Sequence, residues 1–173
     1  MPVHQLTLPD YTPTPVVCPA GPLNVAPSGV PPANPTTGFS PNPQIGAAKS
    51  QVKVTGKGVK VGIIDSGIDY TRTPLGGCLG SGCKVAGGFN FTNTDGSINA
   101  EQCNFHGTAV AGLIAANDNE FNVPGVAPDA TLYSYVVFNC DGYSSDALVI
   151  AAMQRAYQEG MNVINLSIGE SEF

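Results

Sequence analysis

The apolar positions of the chain fall into runs, and the spacing inside each run predicts an element. Val59, Val61, Ile63 and Ile64 are β-branched and closely spaced, and the run stops on Asp65. This reads as a buried strand over 59–64, with Ser66-Gly67 turning the chain at its end. The stretch 104–117 is rich in Gly and Ala and apolar nearly all round, which predicts a helix opening at His106 and buried on most sides. A second core strand is predicted over 131–138, with Val136, Val137 and Phe138 apolar. The clearest helix is 144–159. Leu148, Val149, Ala152, Met153 and Ala156 line one face, and Met153 is read as core. Ser144 or Ser145 suits its N-cap, Asp146 its positive end and Gly160 its stop. A third core strand follows over 162–168. A short strand over 84–91 and a short helix or turn over 49–54 are weaker expectations.

Strands alternating with helices imply an α/β fold with a mostly parallel sheet and right-handed crossovers. In such sheets chemistry collects at the carboxyl ends of the strands. Asp65 stands at one such end, where an aspartate is either a catalytic group or a turn former. His106 opens a buried helix, where it is either a base or a plain helix-entry residue.

A strand ending in Asp65-Ser66-Gly67-Ile68-Asp69, then His106-Gly107-Thr108 opening a buried helix, resembles the subtilisin-like serine proteases, the subtilases. Gly125-Val126-Ala127-Pro128 and Val163-Ile164-Asn165-Leu166-Ser167-Ile168-Gly169 match the same family in the same order. The likeness runs from about residue 56 to residue 169. The cysteine-bearing loops and the lead-in 56–60 look most like secreted fungal members. The resemblance implies the amino-terminal part of a three-layer subtilisin-like fold, with helices on both faces of the sheet.

By resemblance, His106 is the general base and Asp65 the carboxylate that orients it. A serine hydroxyl is a poor nucleophile until a base takes its proton, and a carboxylate fixes the tautomer of that base. The resemblance also implies that an extended peptide is held by backbone bonds between two segments. These map to Ser167, Ile168 and Gly169 on one side and Cys140, Asp141 and Gly142 on the other. Each is equally readable as an ordinary strand end or turn.

The family carries its nucleophile in a later Gly-Thr-Ser motif, and its oxyanion-hole asparagine is later too. None of the serines among the 173 residues stands in a Gly-Thr-Ser context. The expectation is that this chain alone is inactive, since loss of the nucleophile costs on the order of a million-fold. Departures from the family pattern include Phe105 in place of a usual glycine, Ala109 in place of a second histidine, and Thr73-Pro74 where a His-Pro pair is common. Phe105 could narrow access to the base or shift it. The loop 117–123 resembles a calcium loop of some relatives, with Asn119 as a ligand, but Pro74 or Leu75 replaces the acidic partner. A plain turn is the preferred reading there, and neither a metal nor a cofactor is expected.

Composition adds an arm. Twelve of the fifteen prolines lie in residues 1–50, with Asp10 and Lys49 the only charges beside His4. That segment lacks apolar periodicity and reads as extended and mostly unpaired, with the catalytic-type domain over 51–173. His4 is expected to be exposed and without function. A net charge of −6 offers no basic face to nucleic acid. No run is long enough to span a bilayer. Residues 1–20 lack the basic start and apolar core of a secretory signal, whereas the resemblance implies an extracellular enzyme.

Five cysteines leave at least one unpaired. Cys78 and Cys83 bracket a Gly-rich loop that a disulfide could close, and Cys103 and Cys140 are the other natural pair. A free buried thiol is the alternative for each.

Two further functional readings remain at this level. One is a non-catalytic relative that binds peptide or protein. The other takes Ile63-Ile64-Asp65-Ser66-Gly67 as an aspartic-protease element, which needs a dimer and an all-β chain.

Overall fold

The computed structural model describes residues 5–7, 45–51, 53–92, 97–98, 104–117 and 124–169. Along the chain these form β1 (Gln5–Thr7), α1 (Ala47–Gln51), β2 (Lys60–Asp65), a 3-10 turn (Thr73–Leu75) and β3 (Val85–Asn90). Then come α2 (His106–Ala115), β4 (Thr131–Val136), β5 (Tyr143–Ser145), α3 (Asp146–Gln158) and β6 (Val163–Asn165).

The main sheet has the order β3-β4-β2-β6 among the described residues. All three pairings are parallel. β2 lies between its neighbours in register, with Asp65 opposite Val136 of β4 and Ile63 opposite Asn165 of β6. Because side chains alternate along a strand, the run Ile63-Ile64 serves both faces of the sheet. Val61, Ile63, Leu132 and Val136 pack with Val110, Ala111 and Ala115 of α2. Ile64, Tyr135 and Val137 pack on the other side with Val149, Ala152 and Ala156 of α3. The result is the expected α/β architecture, with one helix on each face. The all-β requirement of the aspartic-protease reading is not met.

Small residues decide how closely α2 lies against the sheet. Gly107 and Ala111 face inward, while Leu113 is 55% exposed. Among the residues of α2 only Ala109 and Leu113 are exposed, so the helix is buried or half-buried on most sides, as expected, and open along one narrow stripe. Its carboxyl end is closed by the Gly125-Val126-Ala127 segment. The N–H groups of these residues donate to Ala116 O, Leu113 O and Ile114 O at 2.9, 3.0 and 2.8 Å. They satisfy carbonyls that a helix end leaves open. A side chain at Gly125 would strike Ala115 N at 2.4 Å, so that motif is explained by packing.

The structure corrects three expectations. Met153 is 41% exposed, not core, because α3 turns only Val149, Ala152 and Ala156 fully inward. Ser145 takes the N-cap position of α3 in an extended conformation, yet makes no side-chain cap bond. Its backbone belongs instead to β5, a strand that the helix reading had absorbed. The third core strand is shorter than expected, spanning only Val163–Asn165, with Val163 50% exposed. Within the arm, Gln5–Thr7 pairs antiparallel with β5.

Between the 3-10 turn and β3, a disulfide joins Cys78 and Cys83 and closes the Gly-rich loop they bracket. Cys140 is disulfide-bonded as well. The expected Cys103–Cys140 pairing, the Asn119 loop and His4 involve positions outside the described residues. No helix of the described residues is long and apolar enough to cross a membrane.

Candidate active site

The site starts from the end of β2. Asp65 is fully buried, and a buried carboxylate must be hydrogen-bonded or paired. Its Oδ1 accepts the Ser66 N–H at 2.7 Å. His106 Nδ1 lies 2.9 Å from both Oδ1 and Oδ2. An ionised carboxylate only accepts, so the shared proton sits on Nδ1 and leaves Nε2 as the basic nitrogen. The imidazole side chain is 27% exposed, against 1% for the carboxylate. The pair is therefore anchored on its inner side and reachable on its outer side.

Local sequence explains why the helix can start so close to the strand. A Cβ on Gly107 would lie 2.3 Å from Gly67 O and 3.1 Å from Asp65 Cβ. Only glycine permits that approach. The first N–H groups of a helix lack intrahelical partners, and here side chains supply them. Asn104 Oδ1 accepts from His106 N at 2.8 Å, and Ser66 Oγ accepts from Gly107 N at 3.1 Å. Thr108 Oγ1 accepts from Asp69 N at 2.8 Å, which ties the loop after β2 to the same turn.

Asp69, the second acid of the motif, has no part in the pair. Its Oδ1 accepts from Thr71 N and Thr71 Oγ1, and its Oδ2 from Arg72 Nε. Burial raises its pKa, but the Thr71 and Arg72 bonds together with the Arg72 charge outweigh burial. The net shift is below the ordinary carboxylate value. Phe105 is 57% exposed beside His106, and the histidine has kept its contact with Asp65.

The remaining predicted residues follow the strands on either side of β2. Cys140, Asp141 and Gly142 lie in the turn between β4 and β5. Cys140 and Asp141 are exposed, and Gly142 has φ 80°. Asn139 organises this turn: its Oδ1 accepts from Asp141 N at 3.1 Å and Tyr143 N at 2.9 Å. Ser167, Ile168 and Gly169 follow β6. Ser167 Oγ donates to Asn165 Oδ1 at 2.9 Å, and Ile168 packs against the α3-side core. Since β2, β4 and β6 are parallel, both sets leave the sheet at the end that carries Asp65.

Sequence reasoning missed β5 and its pairing with the arm. Gln5, Leu6 and Thr7 lie opposite Ser145, Ser144 and Tyr143 in turn. A signal was present, because polar and apolar residues alternate over Gln5-Leu6-Thr7-Leu8. The Ser144 hydroxyl is buried with no hydrogen-bond partner among the described residues. Among those residues, no group of three or more His, Cys, Asp or Glu could hold a metal ion.

The sequence is similar to known proteins. The subtilase family (peptidase S8) matches residues 56–173. Subtilisin DY of Bacillus licheniformis is 41% identical over 133 residues, covering 73% of this chain and 43% of the relative. The minor extracellular protease Vpr of Bacillus subtilis (strain 168) is 40% identical over 138 residues, which is 75% of this chain and 16% of that protein. Subtilisin E of the same strain is 38% identical over 115 residues, 66% of this chain and 28% of the relative. The chain thus spans less than half the length of these curated relatives.

Proposed function

Because the chain belongs to the subtilase family, we propose that it supplies the base and carboxylate of a serine endopeptidase, with His106 as general base and Asp65 as its orienting partner. The observation that carries this reading is the 2.9 Å contact of His106 Nδ1 with both carboxylate oxygens. Asp65 holds the imidazole in one tautomer and stabilises the imidazolium that forms when Nε2 takes a hydroxyl proton. The Asp65 side chain is shielded from water, so its attraction for that imidazolium is little screened.

None of the serines among these 173 residues stands in the Gly-Thr-Ser context of the family nucleophile, which supports the reading that the chain as given does not hydrolyse peptides. A serine-directed phosphonate tests this. The chain alone should remain unlabelled. The chain completed with the carboxyl-terminal part of a subtilisin should be labelled, and changing His106 to Ala should abolish labelling. Stoichiometric labelling of the chain alone would mean that a serine within it is the nucleophile.

The substrate is an extended peptide bound by strand addition. Cys140, Asp141 and Gly142 with the adjoining β5 form one edge, and Ser167, Ile168 and Gly169 the other. Support comes from the arm, since Gln5–Thr7 already lies on β5 as an added antiparallel strand. The Cys78–Cys83 loop and the 56–60 lead-in support a likeness to secreted fungal subtilases and an extracellular setting, where disulfides persist. Peptides and proteins are the partners. The acidic balance disfavours nucleic acid, and no membrane partner is proposed.

A further inference from the structure

We propose that the Ser66 side chain is a positioning group that locks the helix carrying His106 against the strand carrying Asp65; the inference rests on the peptidase reading of that pair. Ser66 directly follows the carboxylate and is 5% exposed. A serine after a strand is commonly explained as a turn former that bonds its own backbone. Ser66 does something different. Its hydroxyl donates to Asn104 O at 3.3 Å and accepts from Gly107 N at 3.1 Å, 38 and 41 residues away.

Those two partners bracket His106 on the chain. One hydroxyl therefore holds the backbone on both sides of the base. The Ser66 N–H meanwhile donates to Asp65 Oδ1 at 2.7 Å and fixes the carboxylate. Both members of the pair are thus referenced to one residue, through two separable groups. Replacement by alanine keeps the N–H and removes the hydroxyl. Gly107 N–H then loses its acceptor at a helix end where no intrahelical partner exists. The first turn of α2 is freed to move relative to β2, and a hydrogen bond weakens steeply with misalignment. Threonine retains the hydroxyl.

The test reads the His106 Nδ1–H proton by NMR in the chain as it stands, with His4→Gln used to separate the two histidines. Exchange of that proton with water is compared in Ser66→Ala and Ser66→Thr, while thermal unfolding confirms that each variant is folded. Ser66→Ala should exchange at least tenfold faster than the parent, and Ser66→Thr should stay within about threefold. A purely structural serine would lower the unfolding temperature in Ser66→Ala and leave Nδ1–H exchange unchanged. That result, or a folded Ser66→Thr as fast as Ser66→Ala, overturns the proposal.

If Ser66→Ala does not fold, the parent chain decides. Gly107 N–H and His106 Nδ1–H should respond together to sub-denaturing urea, and responses differing tenfold overturn the proposal. Exchange reports geometry without turnover. A tethered helix in a completed domain that cleaves nothing would therefore sink the peptidase reading alone, and an untethered helix in an active domain would sink only the tether.

Discussion

The junction of β2 with α2 and the segments that follow β4 and β6 leave the sheet at the same end, but they satisfy their polar groups in different ways. At the junction, the bonds that matter cross long stretches of chain: Asp65 to His106, Ser66 to Asn104 and Gly107, Asp69 to Thr108. Around residues 139–143 the bonds are local, between Asn139 and residues two to four places on. The strand that follows, β5, completes its pairing with a segment borrowed from the arm. Under the proposed function, the contrast separates two demands. A base and its carboxylate need one fixed distance, and buried long-range bonds enforce it. An edge that receives peptides of differing sequence needs regular backbone groups and room above them.

The sharpest way to break the contrast is Gly107→Ala. The added methyl would lie 2.3 Å from Gly67 O, and that neighbour is backbone with little freedom to yield. The expected cost is about 3 kcal/mol, the upper end of usual overpacking penalties, read from urea unfolding. The His106–Asp65 bond should be lost with it. A variant of parental stability would show that the helix start is not pressed against the strand.

A smaller effect is expected at the proposed peptide edge. A chain lacking residues 1–10 should bind a synthetic peptide of those residues at least tenfold more tightly than the intact chain does, measured by fluorescence anisotropy. The tethered copy competes at high effective concentration. Equal binding to both forms would mean that β5 is not the receiving edge.

The smallest effect is acid sensitivity. The Asp69 pKa is depressed in the folded chain from an ordinary value of 3.8. Its ionised form is the one favoured by folding, so its contribution is complete above that value. The contribution disappears as pH falls through the lower, folded value. Asp69→Asn should therefore flatten the loss of stability below about pH 4. An unchanged acid limb in urea titrations would assign the sensitivity elsewhere.

Much of this arrangement was legible in the residues. The β-branched run before Asp65 and the Ala- and Gly-rich apolar run after His106 point to strand and helix by composition, and short motifs brought the two together. The Cys78–Cys83 closure was one of two readings that spacing left open, and the structure selects it. Exposure was less so: Leu113 and Met153 are apolar, yet hydrophobicity does not say which side of a helix finds a partner. β5 was missed because Ser144-Ser145 serves as a helix-entry signal as well as a strand, and local propensity does not choose between them. The tie from Ser66 to Gly107 depends on a crossing of two distant segments, which no local pattern encodes.

The placement of β2 has a kinetic consequence. Both of its neighbours in the sheet, β4 and β6, come later in the chain, and Val61 finds its β6 partner only at Val163. During synthesis the central strand must wait for about a hundred residues to emerge before its second edge can be paired. Contacts of such high sequence separation are slow to form. The nascent polypeptide thus carries its strongest β-forming run unprotected while the ribosome is still at work. Its yield in a cell should depend on how quickly chaperones shelter that run.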